Sequence, residues 1–188
     1  MNTRSRRNCF SLGLSVILIF GATIGYAGQT VRVSTATGGA QGDIRTRRHS
    51  VSADGRFVAL CSDATNLVSG DTNAAQDVFI HDRQTGATTR VSVNSAGDEG
   101  DAASRDVKIS ADGRFVVFGS DATNLVTGDT NGFQDVFVHD RIAGTTTRLS
   151  VDSAGGEGDN QSSLQAGQSA ESEKTAGPGV CIRLCDLH

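Results

Sequence analysis

The sequence repeats itself, and the repeat limits what it can fold into more than any other feature. Ser52-Ala53-Asp54-Gly55-Arg56-Phe57 returns 58 residues later as Ser110-Ala111-Asp112-Gly113-Arg114-Phe115. Between residues 52–101 and 110–159, 37 of 50 positions are identical without a gap. Two units this similar must adopt one fold and pack through equivalent surfaces. A fragment of the same unit lies upstream. There Thr30, Arg32, Val33, Ser34, Gly39, Gly42 and Asp43 match Thr88, Arg90, Val91, Ser92, Gly97, Gly100 and Asp101. The repeat region, 28–160, therefore divides into a partial unit at 30–43 and full units at 44–101 and 102–159.

Each full unit has the pattern of four short strands. The first is brief, at His49–Ser52 and Val107–Ser110. Asp54-Gly55 and Asp112-Gly113 then close a tight hairpin, because glycine accepts a positive φ and aspartate tolerates one. The second strand, Phe57-Val58-Ala59-Leu60-Cys61 or Phe115-Val116-Val117-Phe118, is apolar on both faces. So is the third, Val78-Phe79-Ile80 or Val136-Phe137-Val138. A strand wetted on one side alternates, so a continuous apolar run requires cover above and below. The fourth strand, Thr88–Val93 or Thr146–Val151, does alternate, as an outer strand should. Asp82–Gly86 and Asp140–Gly144 supply the turn before it.

Four-stranded antiparallel units, covered on both faces and arranged in tandem, are the blades of a β-propeller. The run S-A-D-G-R-F-V, then D-V-F-[IV]-H-D-R, then G-x-T-T-R-[VL]-S resembles the TolB-type, WD-repeat-like propeller repeat of bacterial envelope proteins. The resemblance covers about residues 28–160. It implies a propeller fold and a role in protein contacts, and it implies no reaction. The expected fold class is thus all-β: two antiparallel four-stranded blades plus an orphan outer strand at Thr30–Ser34, an incomplete propeller. Propellers close with about four to eight blades. Two blades leave apolar faces open at both ends, so the chain either associates with copies and partners or is a truncated relative of a longer protein.

The ends differ from the repeats. Arg4, Arg6 and Arg7 precede an uncharged apolar stretch from Phe10 to Ala27 that closes on Gly25-Tyr26-Ala27. Cations, an apolar core and small residues at the cleavage position make residues 1–27 an export signal, with an uncleaved anchor as the alternative. Export places the mature chain in the periplasm or outside the cell. Residues 161–188 lack a strand pattern and are expected to be a disordered low-complexity tail. The pattern is lost where a third S-A-D-G-R-F would begin, at 168, as a shortened or frame-shifted product would show.

Composition narrows the partners. The chain holds 17 Lys+Arg against 21 Asp+Glu, and its cations look scattered along the sequence. Nucleic acid is therefore not an expected partner, nor is a membrane beyond the signal segment. Other envelope proteins, further blades, or copies of the chain meeting through open blade faces are.

Candidate chemistry concentrates in one repeated loop. Asp71, Asn73 and Asp77, and again Asp129, Asn131 and Asp135, place oxygen side chains at positions one, three and seven, a partial calcium pattern. Ala75 or Phe133 stands at the fifth position and no bidentate Glu follows, so turn capping by Asp and Asn competes with metal binding. Asp98–Asp101 and Glu157–Asp159 look like solvated loop charge. His81 and His139 recur beside Asp82 and Asp140. A catalytic residue is needed once, so recurrence makes them scaffold, with a His–Asp contact orienting the turn. No nucleophile elbow, zinc-protease helix or phosphate loop is present. Cys181, Cys185 and His188 offer zinc three ligands where a structural site takes four, and a Cys181–Cys185 disulfide fits export better. Cys61 looks like a small core residue.

The sequence thus points to an exported protein-interaction or scaffolding module without catalysis or an obligate cofactor, its contact surface formed by loops 62–76 and 120–134. A calcium-dependent surface or adhesion module, and a non-functional fragment, are the alternatives.

Overall fold

A computed structural model of the chain describes residues 30–158 and 161–164. Residues 1–27, expected to be an export signal, and Cys181, Cys185, His188 and most of the tail lie outside the described residues. By its contacts the chain divides into units 1–31 and 32–188, and all eight described strands belong to the second.

The strands are β1 Thr46–Val51, β2 Phe57–Ser62, β3 Asp77–Asp82 and β4 Ala87–Arg90, then β5 Ser104–Ile109, β6 Phe115–Ser120, β7 Asp135–Asp140 and β8 Thr145–Arg148. They form two four-stranded antiparallel sheets, each ordered as in the sequence, β1-β2-β3-β4 and β5-β6-β7-β8. Each is one repeat, and each has the meander form of a propeller blade. The first hairpin forms for local reasons. Gly55 takes φ +71, Asp54 Oδ1 accepts the Ser52 hydroxyl and the Arg56 amide, and Ser52 Oγ accepts the Phe57 amide. The second copy repeats every one of these bonds at 110–115.

The doubly apolar strands are covered as expected. From Val58 to Ser62 and from Asp77 to His81 every residue is buried. One face of the first sheet (Ala59, Cys61, Val78, Ile80, Val91) packs against Val107, Ile109, Phe118, Ala122, Leu125 and Phe137 of the second repeat. The other face (Leu60, Phe79) packs with Ala64 and Leu67. These four residues are the equivalents of Phe118, Phe137, Ala122 and Leu125, so each blade turns the same face toward the preceding repeat. Phe118 and Phe137 stack at 6.0 Å, and each contributes about 2–3 kcal/mol by leaving water. At the two outer faces the central strand residues are buried, with Val138 half-buried. Leu60 and Phe79 at one end are 1% and 0% exposed, and Val117 and Val136 at the other are 0%.

Polar contacts lock the blades in register. Ser104 N–H donates to Gln76 O, Ala53 N–H to Ala111 O and Ile109 N–H to Ser50 Oγ. The Arg141 guanidinium lies 4.0 Å over the Phe57 ring. The Ser104 contact then recurs: Ser162 N–H donates to Gln134 O, and Ser162 is 2% exposed. Residues 161–164, expected to belong to a patternless tail, thus occupy the position that opens a blade.

Three boundaries differ from expectation, the first being that β1 and β5 start at Thr46 and Ser104, three residues before His49 and Val107. The outer strands end at Arg90 and Arg148, where the hydroxyl oxygens of Ser92 and Ser150, not their carbonyls, accept the Val78 and Val136 amides. Thr30–Ser34 joins no ladder among the described residues. Only an isolated bridge, Thr35 with Gln41, marks that partial unit. This bridge holds the first blade's edge, since Thr37 Oγ1 accepts the Thr88 amide and Thr88 Oγ1 donates to Thr35 O. The bridge Val93–Glu99 does the same for Thr146 through Ser95.

Candidate functional site

The sequence-selected acidic loops converge, and they bring residues that the sequence did not single out. Asp77 opens β3 and is fully buried. Its Oδ1 accepts the Ser92 hydroxyl at 2.6 Å, while Oδ2 accepts from the Asn73 amide at 3.2 Å and Arg90 Nη1 at 3.3 Å. Arg90 also bonds Glu99 and donates from Nη2 to Gly70 O at 2.9 Å, with Asp71 at 3.9 Å. Glu99 in turn accepts from the Thr72 amide and hydroxyl. The second repeat builds the same cluster. Arg148 meets Glu157 at 3.0 Å, Asp135 at 3.4 Å and Asp129 at 3.7 Å, and Ser150 and Asn131 donate to Asp135.

Glu99 and Glu157 are therefore cluster members and not solvated loop charge. The signal for them was the repeat itself, because Arg90 with Glu99 and Arg148 with Glu157 keep the 58-residue spacing. Asn73 and Asn131 do not aim their oxygens inward. Asn73 Oδ1 accepts the Ala75 amide at 2.8 Å and Asn131 Oδ1 the Phe133 amide at 2.7 Å, which is the turn-capping role. The carboxylates of Asp71, Asp77 and Glu99, and of Asp129, Asp135 and Glu157, lie within 4.8 Å of one another and could hold a divalent cation. A guanidinium already stands among them and supplies positive charge.

The cluster's protonation follows its burial. Burial pushes Asp77 up to about 6, against the Ser92 bond and the Arg90 charge. Burial, with the Asp135 charge beside it, pushes Asp129 up to about 6. Asp71 is raised by burial too, and its Oδ1 has no hydrogen-bond partner. Burial works against Glu99, yet its Thr72 bonds and Arg90 bring it below its usual value. The Asn131 and Thr130 amides hold Glu157 at about 2.

The histidines are scaffold, though not through aspartate. His81 Nδ1 lies 2.9 Å from Thr88 Oγ1, and His139 Nδ1 lies 2.9 Å from Thr146 Oγ1. Both imidazoles are lowered by burial. The expected partner Asp82 is instead taken bidentately by Arg56, at 3.0 and 2.8 Å, and Asp140 by Arg114. That pairing brings both carboxyls far below the ordinary range. Cys61 is a core residue, 0% exposed, with its thiol pushed up to about 11 by burial.

Loops 62–76 and 120–134, expected to form a free contact surface, are partly interior. Ala64, Leu67, Ala122 and Leu125 are buried. Asn66 and Asn124 tie each loop back to the preceding unit by donating to Gln41 O and Glu99 O. Beside the outer strand a groove recurs in each blade. It runs between Ala36, Thr37, Asn66, Val68 and Thr88 in one blade, and between Asn94, Ser95, Asn124, Val126 and Thr146 in the next.

The cations are not scattered either. Arg45, Arg47 and Arg48, on and just before β1, stand beside Arg105 and Lys108 of β5. β1 exposes all but one of its residues.

No family model matches this chain, and no curated protein matches it. Among solved structures, the putative TolB of Agrobacterium tumefaciens is similar, with a TM-score of 0.40 and 20% identity over 60% of this chain and 32% of that one. TolB of Acinetobacter baumannii has a TM-score of 0.39 and 18% identity over 56% of this chain and 21% of that one. Kuenenia stuttgartiensis hydrazine synthase has a TM-score of 0.37 and 18% identity over 63% and 33%. The chain spans a third or less of the length of each.

Proposed function

We propose that the chain is an exported, non-catalytic protein-contact module whose blades present equivalent grooves to a partner of the cell envelope or to further blades. The observation that carries this is the division of labour among the repeated polar residues. The acidic loops, the histidines and the Arg56–Asp82 and Arg114–Asp140 pairs are spent on holding the blades. The groove lined by Val68 and Val126 recurs at the repeat spacing and stays accessible. Repeats offer equivalent positions on one face, which suits a contact surface.

A photo-reactive side chain placed at Val126, and as a control at Ile142 (79% exposed, outside the groove), tests this in envelope extract. Adducts from 126 and not from 142 support it. Equal yields, or none at 126, would overturn it. Export is tested separately by the N-terminal sequence of the protein recovered outside the cytoplasm, which should begin at Gly28.

A further inference from the structure

The two copies are nearly identical except where the first strand runs. Between residues 44–51 and 102–109 a single position in eight is shared, Arg47 with Arg105. Packing between equivalent blades does not hold this strand constant, and β1 shows why: Thr46, Arg47, Arg48, His49 and Val51 are all exposed. The strands lie side by side, joined by the Ile109 N–H to Ser50 Oγ bond and the Arg48–Asp106 pair at 2.8 Å. Together with Leu164 they border a cleft lined by Arg47, Arg48, His49 and Lys108.

Charge gathers here against the sign of the whole chain. The arginine side chains are 68% (Arg45), 46% (Arg47), 69% (Arg48) and 40% (Arg105) exposed. Asp63 is shared by Arg45 at 3.6 Å and Arg47 at 2.9 Å, Asp106 serves Arg48, and Asp121 serves Arg105. Lys108 has no carboxylate partner among the described residues. Five cations thus face three carboxylates. Asp106 sits at the centre with φ +58, a left-handed backbone that aspartate tolerates, inside a bulge between Arg105 and Lys108. A bulge re-aims a side chain.

We propose that the strip formed by Arg45, Arg47, Arg48, Arg105 and Lys108 is a docking surface for an extended acidic polypeptide segment. This stands independently of the outer grooves. The cations spread along a strand, about 10 Å from Arg45 to Arg48 at roughly 3.3 Å per residue, so they match a line of carboxylates better than one small anion. Guanidinium groups bind carboxylates bidentately. Nucleic acid fits less well, because only about two charges are uncompensated and the rest of the chain is acidic. A membrane surface fits less well because the strip borders a cleft.

The test uses the full exported chain and a labelled peptide of alternating Glu and Ser, with a Gln-for-Glu peptide and a single-stranded DNA of equal length as comparisons. Fluorescence anisotropy at low salt should show saturable binding of the Glu peptide only, weakened several-fold at physiological salt. Arg47→Gln combined with Lys108→Gln should weaken binding at least tenfold while leaving the melting temperature near wild type. Asp106→Asn removes the local competitor for Arg48, and Asn tolerates the left-handed conformation as Asp does. It should tighten binding several-fold, which a purely structural role for the strip would not produce. No binding of the Glu peptide, equal binding of the Gln peptide, tighter binding of the DNA, or no gain in Asp106→Asn would each overturn the proposal.

Discussion

Gly55 and Gly113 occupy the same turn in two copies of S-A-D-G-R-F, and they should respond very differently to one added methyl group. Both have positive φ, +71 and +76, so alanine costs about 1 kcal/mol at either through the left-handed backbone. The surroundings then separate them. A Cβ on Gly55 would meet only Arg83 Nη1, at 3.5 Å, whereas a Cβ on Gly113 would lie 2.3 Å from Phe57 Cδ2 and 3.1 Å from Cε2. Carbon atoms rest at about 3.5–4.0 Å, so the ring must retreat by about 1 Å or more. It is held between Arg141 at 4.0 Å and Arg56 at 4.7 Å, and such overpacking typically costs about 1–3 kcal/mol. Gly113→Ala should therefore lose about 2–4 kcal/mol in urea unfolding and Gly55→Ala about 1, each with an unchanged m-value. Because the local sequences are identical, effects on the unfolded chain cancel in the comparison. In a Phe57→Ala background the Gly113→Ala cost should fall to that of Gly55→Ala. Equal losses in the two single variants, or no relief on removing the ring, would refute the packing of blade on blade.

Three further outcomes follow from the ion clusters and their loops. Asp77 and Asp129 titrate near 6 in the folded chain, above their unfolded value, so the native state holds more protons and loses this stability as pH rises through about 6. The lowered His81 and His139 pull the other way in this range, so the check is differential: between pH 7.5 and 5.5 wild type should gain melting temperature relative to Asp129→Asn. Below about pH 4 it should fall, because Glu157, held at about 2, must then be protonated. Arg148→Ala strips the cation from Asp129, Asp135 and Glu157, a group 17% exposed at most, and should cost about 3–5 kcal/mol. Calcium should then raise the melting temperature of that variant through linkage and leave wild type unmoved. An equal rise in wild type would return the loops to the calcium reading. Finally, Ala74 has φ +53 where the second copy has Gly132 at +70. Gly132→Ala should destabilise by about 1 kcal/mol, and Ala74→Gly should be neutral or stabilising, as read by thermal melts.

What was legible in the sequence follows the physics of each residue. Burial on both faces left an unbroken apolar run in Phe57–Cys61 and Val78–Ile80, so the sheets could be placed without coordinates. The outer strands could be found but not bounded, since a side-chain oxygen on Ser92 replaces a ladder bond and no periodicity registers that exchange. Only part of the ion cluster was visible. Asp71, Asn73 and Asp77 are near neighbours in the chain, but Arg90 and Glu99 reach them across the sheet and the following turn. The gathering of cations was hidden for the same reason, since 45–48 and 105–108 are sixty residues apart and meet only because equivalent first strands of successive blades lie side by side.

That placement also explains why the copies diverge there. In residues 52–101 each side chain must fit a neighbour that is almost a copy of its own repeat, so a change in one unit needs a matching change in the other. The first strand escapes the constraint because β1 has most of its residues in water. Sequence there is free to answer to something outside the chain. Arg48 and Asp106 hold equivalent positions and face each other at 2.8 Å, so the two first strands carry opposite charges at one site and pair through them.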